Sequence, residues 1–340
     1  MPTMVGARVL RKEDPNLLTG SGTFVDDVQL TGTLHVGLAR STEAHAEIVS
    51  IDTSEAAALD GVVGVYTIDD FADYGRVPGV PGMDRPVLAQ DRVRFVGEPV
   101  AIVVAESAYI AADAAELIYV EYNTLPAVMT PAAAMADGAP VLHEAIGSNV
   151  LLDTPFADDL AEVFDSAPRT AVLDLHNNRV HPVPMETSVV LADWGRDKLT
   201  VWASTQVPHA LRTTLSNYLG VSQSHCRVIQ PDVGGGFGAK VQWYPELLMV
   251  PILSKWHNRP VKYVQTRSEC FVMMCSGRDQ RHHAEVAFDD DGKILGLRSM
   301  VIADVGGYPD VPTALGLPTL TNWMASGCYA IPAIAAGHKV

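Results

Sequence analysis

The 340-residue sequence predicts an α+β chain, on three observations. Apolar runs of strand length recur along it, bounded by Gly, Pro and Asn/Asp turn residues. Helical patterns fall between some of these runs, but not as a regular strand–helix–strand repeat. From Arg169 onward the strand patterns lengthen, which divides the chain into a first and a second segment.

In the first segment, residues 34–40 and 62–67 read as strands, and residues 54–59 as a short helix capped by Thr53 or Ser54. Residues 75–86 form a Pro/Gly-rich loop. The continuous apolar run 100–105 predicts a strand, and Ser107 opens an alanine-rich helix to about Leu117. The turn-rich stretch that follows joins two domains, so the expected division is 15–125, a linker at 126–168, and 169–340. In the second segment, residues 170–176, 189–193 and 199–203 read as strands. A helix at 208–219 starts on Pro208 and stops at Gly220, as helix ends prefer. Residues 227–229 give a buried-strand signal, 245–256 an apolar helix and 261–265 a strand. Asp289-Asp290-Asp291-Gly292-Lys293 separates strands at 282–288 and 294–303. A calcium loop starting there would need Glu where Met300 stands, so this is a hairpin turn.

Composition narrows the function. Apolar residues make up 48% and charged residues 19%, an ordinary globular balance. The net charge of −16 disfavours nucleic acid and anionic membrane surfaces as partners. The first residues contain no apolar run of signal-peptide length, so the expected location is the cytoplasm. Cys226, Cys270, Cys275 and Cys328 lack metal-ligand spacing, and Cys270 and Cys275 read as reduced core residues. No side chain of this chain is expected to ligate a metal. His282-His283 reads as structural or exposed. Residues 311–337 carry no charge, yet Pro312, Pro318, Pro332 and Asn322 argue against a membrane helix. Such a stretch needs a cover, either another polypeptide or further chain.

The most informative stretch is Val228–Lys240, where Pro231-Asp232 leads into Gly234-Gly235-Gly236-Phe237-Gly238. Glycine reaches positive φ and lets a ligand touch bare backbone, at a conformational cost of roughly 0.5–1 kcal/mol per residue. A tight strand-to-helix turn would explain the glycines alone. The lone Phe237 suggests more, namely a wall beside a bound group. The spacing matches neither a P-loop nor a dinucleotide fingerprint, so nucleotide binding is the weaker alternative.

Five motifs in order then resemble the molybdenum-binding large subunits of the xanthine dehydrogenase, aldehyde oxidase and carbon monoxide dehydrogenase family. They are Gly20–Asp27 with Arg40–Ala46, Val96–Ala101, Arg179–Thr187, Ser204–His209 and Asp232–Lys240. The third is particularly similar to the carbon monoxide dehydrogenase branch. The resemblance implies an N-terminal α/β-hammerhead domain followed by an incomplete mixed α/β molybdopterin-binding domain. It implies oxidative hydroxylation of an aldehyde, an N-heterocycle or carbon monoxide, with water as oxygen source. It implies a molybdenum–molybdopterin cofactor in the cytosine dinucleotide form, with iron–sulfur clusters and FAD only on partner subunits. Gln206 would be the catalytic residue, hydrogen-bonded to an oxygen ligand of the metal, and Gly235, Gly236, Phe237 and Gly238 would join it in holding the cofactor.

The departures matter equally. The family's late cofactor loops and C-terminal catalytic glutamate have no counterpart here, nor does the cysteine loop of a carbon monoxide dehydrogenase. Glu98, Glu186 and Glu246 are not substitutes: Glu186 reads as structural, and Glu246 as a buried salt-bridge partner. The implied partners are an iron–sulfur small subunit, an FAD medium subunit and a complementary C-terminal large-subunit segment. Purine-oxidising relatives place a glutamate after the loop lysine, whereas this chain has Val241, so purines are not the expected substrate. A non-catalytic remnant that binds partners without cofactor is the other reading.

Overall fold

The structure is a computed structural model that describes residues 4–80, 83, 85–309 and 316–340. Its central element is a seven-stranded mixed sheet. In order across the sheet, the strands are Cys226–Ile229, Leu199–Ala203, Val189–Trp194, Val261–Val264, Leu34–Arg40, Pro99–Ala105 and Val62–Tyr66. Three of them come from the first segment and four from the second, so residues 15–125 and 169–340 share one sheet.

Every residue of Pro99–Ala105 is buried, because both faces of this strand are covered. Alternation sends Ala101, Val103 and Ala105 to a core with Ala111 and Ala114 of helix Ala108–Glu116. Ile102 and Val104 point the other way, into the core that holds Leu248 and Ile252 of helix Pro245–His257. A half-exposed strand would have shown apolar–polar alternation; this one reads as a continuous run for that reason. Ser107 caps its helix as expected, accepting the Ile110 N–H at 3.2 Å. Helix Pro208–Leu219 likewise stops on Gly220 at φ 65°.

A five-stranded sheet follows the order Asp153–Thr154, Ile334–Lys339, Ile294–Ala303, Gln280–Phe288, Arg169–Asn177. The hairpin at Asp289 is present, with Asp289 Oδ1 accepting the Lys293 N–H at 2.8 Å. His283 is exposed on this sheet and bonds Asp174 across strands at 2.7 Å. The stretch 126–168 does not run free: Asp153–Thr154 pairs with Ile334–Lys339, and the Leu151 N–H donates to the Val340 carbonyl at 2.7 Å. A three-stranded sheet of Arg92–Val93, Ala46–Asp52 and Tyr119–Thr124 completes the first segment.

Of the uncharged stretch, residues 311–315 lie outside the described residues, as do 81, 82 and 84 of the Pro/Gly-rich loop. The rest forms helix Gly316–Trp323, turns, and the start of strand Ile334–Lys339, leaving Trp323, Met324 and Tyr329 exposed. Among the described residues no helix is long and apolar enough to cross a membrane. The four cysteines form no disulfide: Cys226 and Cys270 are buried and Cys275 half-buried, whereas Cys328 is exposed.

Candidate functional site

Strands Leu199–Ala203 and Cys226–Ile229 are parallel neighbours, so the chain leaves both at the same end of the sheet. That pairing brings Gln206, three residues beyond the first strand, against the glycine loop that follows the second. The C-terminal ends of parallel strands are where open α/β sheets collect their ligands.

The contact is specific. Gln206 Oε1 accepts the Gly238 N–H at 2.9 Å and the Lys240 N–H at 3.2 Å. The Gln206 N–H and the Thr205 hydroxyl both donate to the Lys240 carbonyl, at 3.0 and 3.2 Å. Two N–H donors facing one side-chain oxygen settle which way the amide points. Nε2 is therefore directed away from the loop backbone as a donor, and it makes no protein hydrogen bond among the described residues.

The loop explains its own glycines. Gly236 is buried beneath the Gln206 side chain, and a Cβ there would lie 2.5 Å from Cδ and Oε1. Gly238 stands at φ 89° with open space beside it. Phe237 adopts φ 50°, a left-handed conformation that costs of order 1–3 kcal/mol outside glycine, and its ring is 74% exposed. The loop thus presents an aromatic ring and a bare Gly238 outward, while Gly235 and Gly236 are internal parts of it. The Gly238 N–H is already used by Gln206, so what Gly238 offers outward is the lack of a side chain rather than a donor.

Glu186 fastens both ends of the loop. Its Oε2 accepts the Gly234 N–H at 2.9 Å and Lys240 Nζ at 2.8 Å, and the Glu186 N–H donates back to the Gly234 carbonyl at 3.1 Å. Lys240 is buried; burial pulls its ammonium below the usual lysine range, and Glu186 opposes that shift. The turn that carries Glu186 is held in its turn by Arg267, whose Nη2 donates to the Pro184 and Met185 carbonyls at 2.7 and 2.9 Å. The first segment joins in through Thr23 and Asp232. The Thr23 N–H reaches Asp232 Oδ2 at 2.9 Å, and the Asp232 N–H reaches the Thr23 carbonyl at 2.9 Å.

The structural reading of Glu186 agrees with this geometry; the reading of Glu246 needs correction. Glu246 is buried, but among the described residues it forms no ion pair and neither carboxylate oxygen has a hydrogen-bond partner. Nearby Arg40 pairs with Glu269 at 2.8 Å instead. Burial pushes the Glu246 carboxyl above the usual carboxylate range, only partly offset by Arg40. Lys240, Glu186 and Arg267 went unrecognised as parts of the site. Lys240 ends the motif and could have been suspected, but nothing local links it to Glu186, 54 residues away.

These residues fit a cofactor that carries oxygen ligands: a fixed amide donor, an exposed ring and, at Gly238, bare backbone with open space beside it. Residues 142–340 match the molybdopterin cofactor-binding domain. Residues 19–126 match the aldehyde oxidase and xanthine dehydrogenase a/b hammerhead domain. The nicotine 6-hydroxylase large subunit of Paenarthrobacter nicotinovorans is 37% identical over 97% of this chain and 42% of its own length. The structure of quinoline 2-oxidoreductase from Pseudomonas putida 86 superposes with TM-score 0.92 and 38% identity, over 98% of this chain and 44% of that one. This chain thus spans less than half the length of these two proteins. It spans far more, 78%, of the nicotinate dehydrogenase large molybdopterin subunit of Eubacterium barkeri, which is 26% identical over 99% of this chain. The chain belongs to the xanthine dehydrogenase and aldehyde oxidase family of molybdenum hydroxylase large subunits.

Proposed function

We propose that this chain forms part of the catalytic large subunit of a molybdenum hydroxylase acting on an aldehyde, an N-heterocycle or carbon monoxide. The observation that carries this reading is the pair of bonds from Gly238 and Lys240 to Gln206 Oε1, which leaves Nε2 as an oriented neutral donor beside Phe237. Gln206 would donate to an oxygen of the cofactor without adding charge, while Phe237 shields one side and Gly238 permits close approach. When bound, the molybdenum–molybdopterin group, in its cytosine dinucleotide form, supplies the redox chemistry. The residues of this chain bind and orient; among the described residues no carboxylate stands in the site as a base. Glu186 is committed to Lys240 and Gly234, and Glu246 is enclosed in the core.

A complementary large-subunit segment would supply that base and the remaining cofactor contacts, beside an iron–sulfur subunit and an FAD subunit in the cytoplasm. Molybdenum and pterin analysis of the purified assembly tests the proposal: stoichiometric cofactor is expected. A stable assembly with all partners and no cofactor would instead establish a non-catalytic remnant. Xanthine is expected to be a poor substrate, because Val241 offers no hydrogen bond to a purine; efficient xanthine turnover would refute that part.

A further inference from the structure

Arg85 is 9% exposed and makes no ion pair among the described residues. Other buried cations differ: Arg40 holds Glu269 at 2.8 Å, Lys240 holds Glu186 at 2.8 Å and Lys262 reaches Asp26 at 3.3 Å. The Arg85 guanidinium instead lies between two aromatic rings, 5.4 Å from the centroid of Phe95 and 5.4 Å from that of Tyr308. Among the described residues its one side-chain hydrogen bond goes from Nη2 to Met273 Sδ at 3.6 Å, a weak acceptor. Glu98 and Glu246 feel its charge, but neither pairs with it, and burial favours the neutral acid in both. The other guanidinium nitrogens are not sealed in protein; Arg85 borders a cavity of about 310 Å³.

The cavity has the makings of a recognition site. Phe95, Phe271 and Tyr308 supply aromatic wall and Met274 adaptable apolar surface, while Arg179 at its edge is already engaged by Asp279 and Asp304 at 2.9 and 3.0 Å. Arg278 also lines the cavity but is exposed, so among the described residues Arg85 is the buried cation of this lining that has no ion pair. A guanidinium stacked between rings keeps its planar fork fixed, which suits a carboxylate, and the surrounding rings suit a flat aromatic body. The volume lies at the small end of ligand pockets, enough for a one-ring molecule. A bare phosphate would leave the aromatic wall unused. Tyr244 also lines the cavity, and its hydroxyl donates to the Ala239 carbonyl at 2.8 Å, next to Gly238.

We propose that this cavity binds a small aromatic carboxylate, with the carboxylate on Arg85 and the ring against Phe95 and Phe271. Binding needs no metal or cofactor, so its fate is separable from that of the hydroxylase reading. The test is calorimetric titration of the purified assembly with benzoate, and with benzamide and inorganic phosphate as comparison probes. Benzoate is expected to saturate, with benzamide and phosphate weaker by at least about tenfold, since each lacks either the charge or the ring. Arg85→Gln should weaken benzoate by a similar factor and leave benzamide unchanged. Should that variant fail to fold, Arg85→Lys keeps the charge without the fork, and benzoate affinity is expected to drop by several-fold. The proposal is overturned if benzoate fails to bind, if benzamide or phosphate binds equally well, or if a folded Arg85 variant retains full benzoate affinity.

Discussion

One carboxylate oxygen of Glu186 receives both Lys240 Nζ, at 2.8 Å, and the Gly234 N–H, at 2.9 Å, so that Glu186 and Lys240 close the glycine loop into a ring. The lysine is buried and the carboxylate nearly so, which makes the pair intolerant of losing one member. Lys240→Met should destabilise the protein by about 3–5 kcal/mol, because it strands a buried carboxylate. Lys240→Met combined with Glu186→Leu should cost clearly less than the sum of the single changes. A double-mutant cycle by denaturant unfolding measures this, and strict additivity would show that the pair is not coupled.

Gln206 has two separable tasks, accepting from the loop and donating outward. Gln206→Glu keeps the acceptor for Gly238 and Lys240 but removes the donor. Turnover of the assembled enzyme should fall by on the order of 10²-fold with cofactor content retained, by analogy with single oxyanion donors. Gln206→Ala loses both tasks and should lower cofactor content as well. Full turnover in the Glu variant would remove Gln206 from the chemistry.

Two glycines of the loop should fail differently. Gly236→Ala places a methyl where the Gln206 amide sits, so the amide must move and turnover should drop even if the loop refolds around it. Gly238→Val meets open space but needs a β-branched residue at φ 89°, and its branches would occupy the approach to the loop. Molybdenum content should fall more in the Gly238 variant. Wild-type metal content and rate in either variant would place the cofactor elsewhere.

Glu246 predicts a pH effect. Burial raises its folded-state pKa above the unfolded one, so the neutral acid is the form the fold favours. The stability it contributes is complete below the unfolded carboxyl pKa, near 4.3 for glutamate, and is lost as pH rises through the higher folded value. Glu246→Gln cannot ionise and should flatten that decline. Melting temperatures of wild type and variant across acid to neutral pH should converge at the acid end and separate above it; parallel curves would assign the titration to another group.

Much of the local structure was legible because its causes are local. Ser107 caps a helix through its own third neighbour, Gly220 ends another at positive φ, and Asp289 turns a hairpin within five residues. The glycine loop stood out because four glycines surround a single aromatic residue, Phe237. Pairing across the chain was not legible. No pattern in the sequence joins Glu186 to Lys240, places Arg85 between Phe95 and Tyr308, or tells that Glu246 would be enclosed without an ion pair among the described residues.

The sequence by itself thus determined the α+β class and many of its elements, since turns, caps and side-chain alternation act over a few residues, although strands Ala46–Asp52, Tyr119–Thr124 and Ile334–Lys339 were not read from it. Tertiary structure alone decided which charges meet, which stay unpaired, and that both segments share one sheet. The physical reason is that burial and ion pairing depend on distance in space, and in a folded chain that distance bears no fixed relation to separation along the sequence.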